Sequence, residues 1–199
     1  MTRLNVALEP PAPVAARLVH LAAELVPSDS VFRIGEDGRH PHLTLYMADF
    51  EPWALDAVLA NIADAAREAP GAAVCTGQSL ACTAGGYVEL GYAKTGALLG
   101  QQLKIADRLR DLAVPATMPP HLTPTDDQWR NLESYHYELM GDSFRPHVTL
   151  GRLASNGRSS LFDAGFPAFS FVPTALMVAV ADDQGAARHI VLRAALAVR

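Results

Sequence analysis

Two short stretches of this 199-residue chain have residue types and spacing suited to acid–base chemistry. Pro41-His42-Leu43-Thr44-Leu45-Tyr46 and Arg145-Pro146-His147-Val148-Thr149-Leu150-Gly151-Arg152 both spell Pro-His-aliphatic-Thr-Leu, and the histidines are 147 − 42 = 105 positions apart. The aliphatic and β-branched residues favour extended backbone, in which alternate side chains point to opposite faces. His42 and Thr44 then share one face and Leu43 and Leu45 the other; His147 and Thr149 are arranged likewise against Val148 and Leu150. Each copy reads as a strand with its back in a core and an imidazole plus a hydroxyl facing forward. With an ordinary pKa of about 6.5, one histidine can stay neutral and accept a proton while another is charged and donates one. Threonine hydroxyls on the same faces can hold nonbridging phosphate oxygens. In-line displacement at phosphorus, where positioning and charge stabilisation dominate, fits such a pair and needs no metal or other cofactor.

The elements that must position these strands are legible in outline. Leu4-Asn5-Val6-Ala7-Leu8 is an apolar-rich strand ending at Pro10-Pro11, followed by helical periodicity over 13–26. Val31–Ile34 and a turn at 35–38 lead into the first signature. A second helix is expected over 53–69, two strands within 72–93 joined at Ala84-Gly85-Gly86, and a third helix over 95–112. Residues 114–127 read as loop, with a short helix after Asp127 running to Met140. Past the second signature come a loop at 155–157 and strands near 168–172, 174–181 and 188–197. Glycine hairpins favour antiparallel pairing, so the fold class is α+β.

The pattern resembles the 2H phosphoesterase superfamily, in its 2′-5′ RNA ligase-like and 2′,3′-cyclic phosphodiesterase branch, through Pro41-His42-Leu43-Thr44-Leu45 and Phe144-Arg145-Pro146-His147-Val148-Thr149-Leu150-Gly151-Arg152. The resemblance follows most of the chain in order. It implies a single bilobal domain over 1–199: two antiparallel β-sheets flanked by helices around a central cleft, with pseudo-twofold symmetry. It also implies that His42 protonates the leaving ribose oxygen, that His147 deprotonates the attacking water, and that Thr44 and Thr149 hold the phosphate. Reversing the reaction exchanges the two histidines. The expected product is a 2′-phosphate from a 2′,3′-cyclic phosphate; the alternatives are 2′-5′ RNA ligation and non-catalytic binding of phosphate or RNA.

Other residues stand beside the pair. Arg145 shares parity with His147 and can reach a phosphate, and Tyr46 continues the His42–Thr44 face, where it can stack on a base. Arg152 falls on the opposite parity and reads as a strand-end salt-bridge partner. His121-Leu122-Thr123 repeats the pattern, but Pro124 follows it, so His121 reads as a loop residue. His40 can line the cleft; His-x-His could bind zinc, but no further ligands stand at convincing spacing. Lys94 precedes a helix start and reads as a solvated turn residue. A formal net charge of −5 argues against a broad grip on long nucleic acid and for a small nucleotide or an RNA end as substrate. No apolar run approaches the roughly 20 residues needed to span a bilayer. Cys75 and Cys82 make no disulfide framework, and Met1–Asn5 lacks the plan of a secretory signal, so a cytoplasmic protein is expected; it is also expected to be a monomer.

Overall fold

The computed structural model describes residues 1–69, 73–116, 125–154, 160–162 and 169–196. Nine strands and four α-helices are assigned among them: β1 Thr2–Glu9, α1 Ala12–Leu25, β2 Phe32–Arg33, β3 Leu43–Phe50, α2 Leu55–Glu68, β4 Gly77–Cys82, β5 Tyr87–Tyr92, α3 Gly96–Leu109, α4 Asp126–Tyr135, β6 His147–Arg152, β7 Ser160–Phe162, β8 Ala175–Ala181 and β9 Ala187–Ala195. They build two antiparallel sheets, one in the order β3-β1-β8-β9 and the other β2-β6-β5-β4-β7. The α+β class and the two-sheet plan are therefore as expected.

Local sequence explains most boundaries. Pro11 and Pro13 open α1, where missing N–H groups are tolerated. Thr95 caps α3 by accepting from Leu98 N, and Thr125 and Gln128 cap α4 reciprocally. The short helix starts at this cap and ends at Tyr135, not Met140, because His136 takes a left-handed conformation with φ 58°. The strand expected near 168–172 shrinks to a single bridge between Phe171 and Cys75. The short β7 had no signal in the sequence.

The helices cover the sheets crosswise. α1, from the first half, lies against β6; α3, from the second half, lies against β3; and α2 packs on β8 and β9. One buried cluster draws on both sheets, with Leu4, Val6, Leu43 and Leu45 from the first and Leu80, Leu90, Val148 and Leu150 from the second. The aliphatic residues of both signatures are thus in the core, with Leu43, Leu45, Val148 and Leu150 wholly shielded from solvent.

Both signature strands carry a β-bulge at the same place. In β3 the pairing with β1 steps from Ala7↔Thr44 to Val6↔Tyr46, leaving Leu45 unmatched. In β6 the pairing with β5 steps from Glu89↔Thr149 to Val88↔Gly151, leaving Leu150 unmatched. An extra residue reverses the alternation beyond it. The His–Thr face therefore passes from Thr44 to Met47 rather than to Tyr46.

Candidate active site

His42 lies immediately before β3 and His147 begins β6, and the two strands meet across the middle of the molecule. Both imidazoles are held by one device. Nδ1 of His42 donates to the carbonyl of His40 at 2.7 Å, and Nδ1 of His147 donates to the carbonyl of Arg145 at 2.7 Å. The intervening Pro41 and Pro146 keep His40 and Arg145 extended. Each carbonyl fixes its ring as the Nδ1–H tautomer and leaves Nε2 for chemistry.

A cavity of about 440 Å³ is lined by His42, Thr44, His147 and Thr149 together. Its rim includes two hairpin turns, Thr83–Gly85 between β4 and β5 and Gln184–Ala186 between β8 and β9. Arg152 joins them: Nε donates to Gly85 O at 3.1 Å, Nη1 donates to Gln184 Oε1, and the guanidinium lies 4.9 Å over the Tyr87 ring. Its expected salt bridge is replaced by these neutral acceptors, because the bulge at Leu150 turns Arg152 toward the cleft side.

The surroundings of the two histidines differ. Glu89 stands opposite Thr149 and puts Oε1 3.7 Å from His147 Nε2. The residue opposite Thr44 is Ala7, which offers no carboxylate. His42 is instead reached by Asn5 of β1, whose Nδ2 lies 3.2 Å from His42 Nε2, 3.0 Å from Thr44 Oγ1 and 3.3 Å from Gly185 O. Burial, partly offset by the His40 carbonyl, lowers the His42 pKa from 6.5 to about 4.

Arg145 is exposed and lines the cavity as anticipated, and among the described lining residues it is the one arginine or lysine, beside Glu89 and Glu138. Tyr46 does not line it. The bulge at Leu45 turns Tyr46 into the core, where it is fully buried, donates its hydroxyl to Tyr135 O at 2.6 Å and packs edge-on against Tyr137. It has no face left for a base. Lys94 donates to Asp142 O at 2.9 Å and stands away from the cavity lining. Among the described residues no group of three or more histidine, cysteine or acidic side chains could hold a metal ion, and no helix is long and apolar enough to cross a membrane. His121 lies outside the described residues.

Sequence reasoning missed Asn5 and Glu89. The available signal was a polar residue inside each of two otherwise apolar strands, Leu4-Asn5-Val6 and Val88-Glu89-Leu90.

The two-sheet architecture recurs in solved structures. Escherichia coli LigT complexed with 3′-AMP matches over 98% of both chains at 19% identity, with a TM-score of 0.64. TT0787 of Thermus thermophilus matches over 99% of both at 17% identity and 0.63, and a phosphoesterase over the full length of both at 17% and 0.62. The chain shares the fold of these structures. No protein-family model and no curated protein matches the sequence. In this fold the strands β3 and β6 set the two His-x-Thr motifs on one cleft.

Proposed function

We propose that the chain is a phosphodiesterase that opens 2′,3′-cyclic phosphates of a small nucleotide or RNA end to 2′-phosphates. The observation that carries this reading is the shared cavity lined by two histidines, each pinned through Nδ1 to the carbonyl two residues before it. The cavity volume is in the range of small-molecule sites. With Arg145 beside two acidic residues, it suits a ligand carrying a single phosphate charge.

The different surroundings divide the labour in the opposite sense to that implied by the resemblance. His42, neutral through burial, takes the proton of the attacking water on Nε2. The water oxygen bonds to phosphorus in line with the departing 3′-oxygen, and the P–O3′ bond breaks. His147, with the Glu89 carboxylate at 3.7 Å to pair with an imidazolium, gives its proton to that oxygen. Thr44 and Thr149 donate to the nonbridging oxygens, and Arg145 offsets the charge gathered there.

Hydrolysis of 2′,3′-cyclic AMP in excess chelator, with the product position read by phosphorus NMR, tests the reading. A 2′-phosphate whose formation is lost in H147A supports it. Absence of turnover with every 2′,3′-cyclic nucleotide, with binding retained, would replace it by a binding role.

A further inference from the structure

Resting on the reading of His42 as base, we propose that Asn5 is a positioning residue that serves His42 in both its proton states by turning its carboxamide over. Asn5 is completely buried in β1, between Met47 of β3 and Ala179 of β8 in the backbone register. Its backbone is therefore fixed by two ladders, and the side-chain amide is the part left to rotate. In the position described, Nδ2 has two hydrogens and three acceptors within reach: His42 Nε2, Thr44 Oγ1 and Gly185 O. Oδ1 is buried without a hydrogen-bond partner. A buried carbonyl oxygen left in that condition is unfavourable and calls for an explanation.

The missing partner is the proton that catalysis brings. While His42 is neutral, Nε2 carries a lone pair and needs a donor, which Nδ2 supplies. When Nε2 takes the proton of the attacking water, it becomes a donor and Nδ2 faces it with the wrong polarity. Rotation of the carboxamide puts Oδ1 where Nδ2 stood, within reach of Nε2–H, which donates to it, and leaves the Thr44 hydroxyl hydrogen to the phosphate. The rotation gives Oδ1 a donor at the cost of the bonds Nδ2 made to Thr44 Oγ1 and Gly185 O, so it is favoured only while Nε2 carries the proton. A carboxylate at this position could only accept and would favour the charged ring in the resting state; an apolar residue would serve neither state. The second sheet makes the contrast: His147 faces Glu89, a group that only accepts.

The other titratable groups that act on His42 come from three directions: His147 on β6, His40 in the segment entering β3, and Asp182 in the β8–β9 turn. They act through space, whereas Asn5 is the hydrogen-bonding neighbour of Nε2.

A pH titration of the full chain labelled with nitrogen-15, following the histidine rings and the Asn5 carboxamide together, tests this without requiring turnover. The Asn5 side-chain signals should shift with the same midpoint as His42. In N5D the His42 midpoint should rise by more than one pH unit, and the acid limb of kcat/KM should rise with it while KM changes less than twofold. N5S, which keeps a group able to donate and accept, should move the midpoint by less than half as much. Asn5 signals that ignore the titration of His42 in the unaltered protein would overturn the proposal, even if N5D fails to fold. If the signals shift together but no cyclic phosphate is turned over, the positioning role stands and the phosphodiesterase reading falls.

Discussion

Glu89 stands opposite Thr149 across the β5–β6 ladder and holds Oε1 3.7 Å from His147 Nε2, while the matching place opposite Thr44 belongs to Ala7. The two sheets repeat their histidines, their threonines and even their bulges, but not this carboxylate. Such a difference is what a pair of histidines needs to act as acid and base at one pH. E89Q removes the partner of the imidazolium and keeps the shape of the side chain. Its kcat should fall about tenfold, equivalent to about 1.4 kcal/mol of lost transition-state stabilisation, with KM nearly unchanged. E89D should recover part of the loss. Steady-state kinetics on a cyclic nucleotide decides, and an unchanged kcat in E89Q would refute this division of roles.

H147A and a His42→Gln exchange should each lower turnover by about 10²–10⁴-fold, the usual range for losing one acid–base group. Circular dichroism of both variants should match the unaltered chain, since neither ring belongs to the apolar cluster of the core.

The burial of His42 also makes stability depend on pH. Its pKa falls from 6.5 to about 4 on folding, so between these values the unfolded chain binds more protons than the native one. Stability is complete above pH 6.5, declines as the pH drops from there toward 4, and loses roughly 3 kcal/mol over the interval from this group alone. Urea titrations at pH 7 and pH 4.5 should show the loss, and His42→Gln should shrink the difference between them.

Arg152 links the β4–β5 and β8–β9 turns through Gly85 O and Gln184 Oε1. R152L should release both turns at the mouth. Amide hydrogen exchange at residues 83–86 and 182–186 should accelerate, while exchange in β1 and β5 stays slow.

Two glycines should respond oppositely to alanine. At Gly151 an added Cβ would meet Phe32 O at 2.6 Å and Val26 Cγ1 at 2.8 Å, one of them rigid backbone. G151A should cost about 1–3 kcal/mol. At Gly100, inside α3, nothing lies within 4 Å of the added carbon. G100A should stabilise by about 0.5–1 kcal/mol, because alanine loses less backbone freedom on entering a helix. Thermal melts should move down for the first and up by about 2–3 °C for the second.

The α+β class, the three long helices and both motif strands were legible because each is set by local periodicity and by proline or glycine at the ends; the two-sheet plan followed from the resemblance of the motifs. Strict alternation also put His42 with Thr44 and His147 with Thr149. It misassigned Tyr46 because nothing in Leu43–Phe50 announces a bulge; that irregularity arises from how β3 fits β1. Arg152 was misread for the same reason. Asn5 and Glu89 escaped because their contacts depend on which strands become neighbours, and each is remote in sequence from the histidine it approaches.

The strand order β3-β1-β8-β9 has a consequence for how the protein is made. The sheet around His147 draws four of its five strands from residues before 153, whereas the sheet around His42 lacks two of its four until residues 175–195 have been synthesised. Until then β1 and β3 form a two-stranded ribbon with an open edge, which is marginal in water. On the ribosome most strands of the sheet around His147 are therefore available for pairing before β8 and β9 can complete the sheet around His42. The half that carries the buried histidine closes only when the last hairpin arrives.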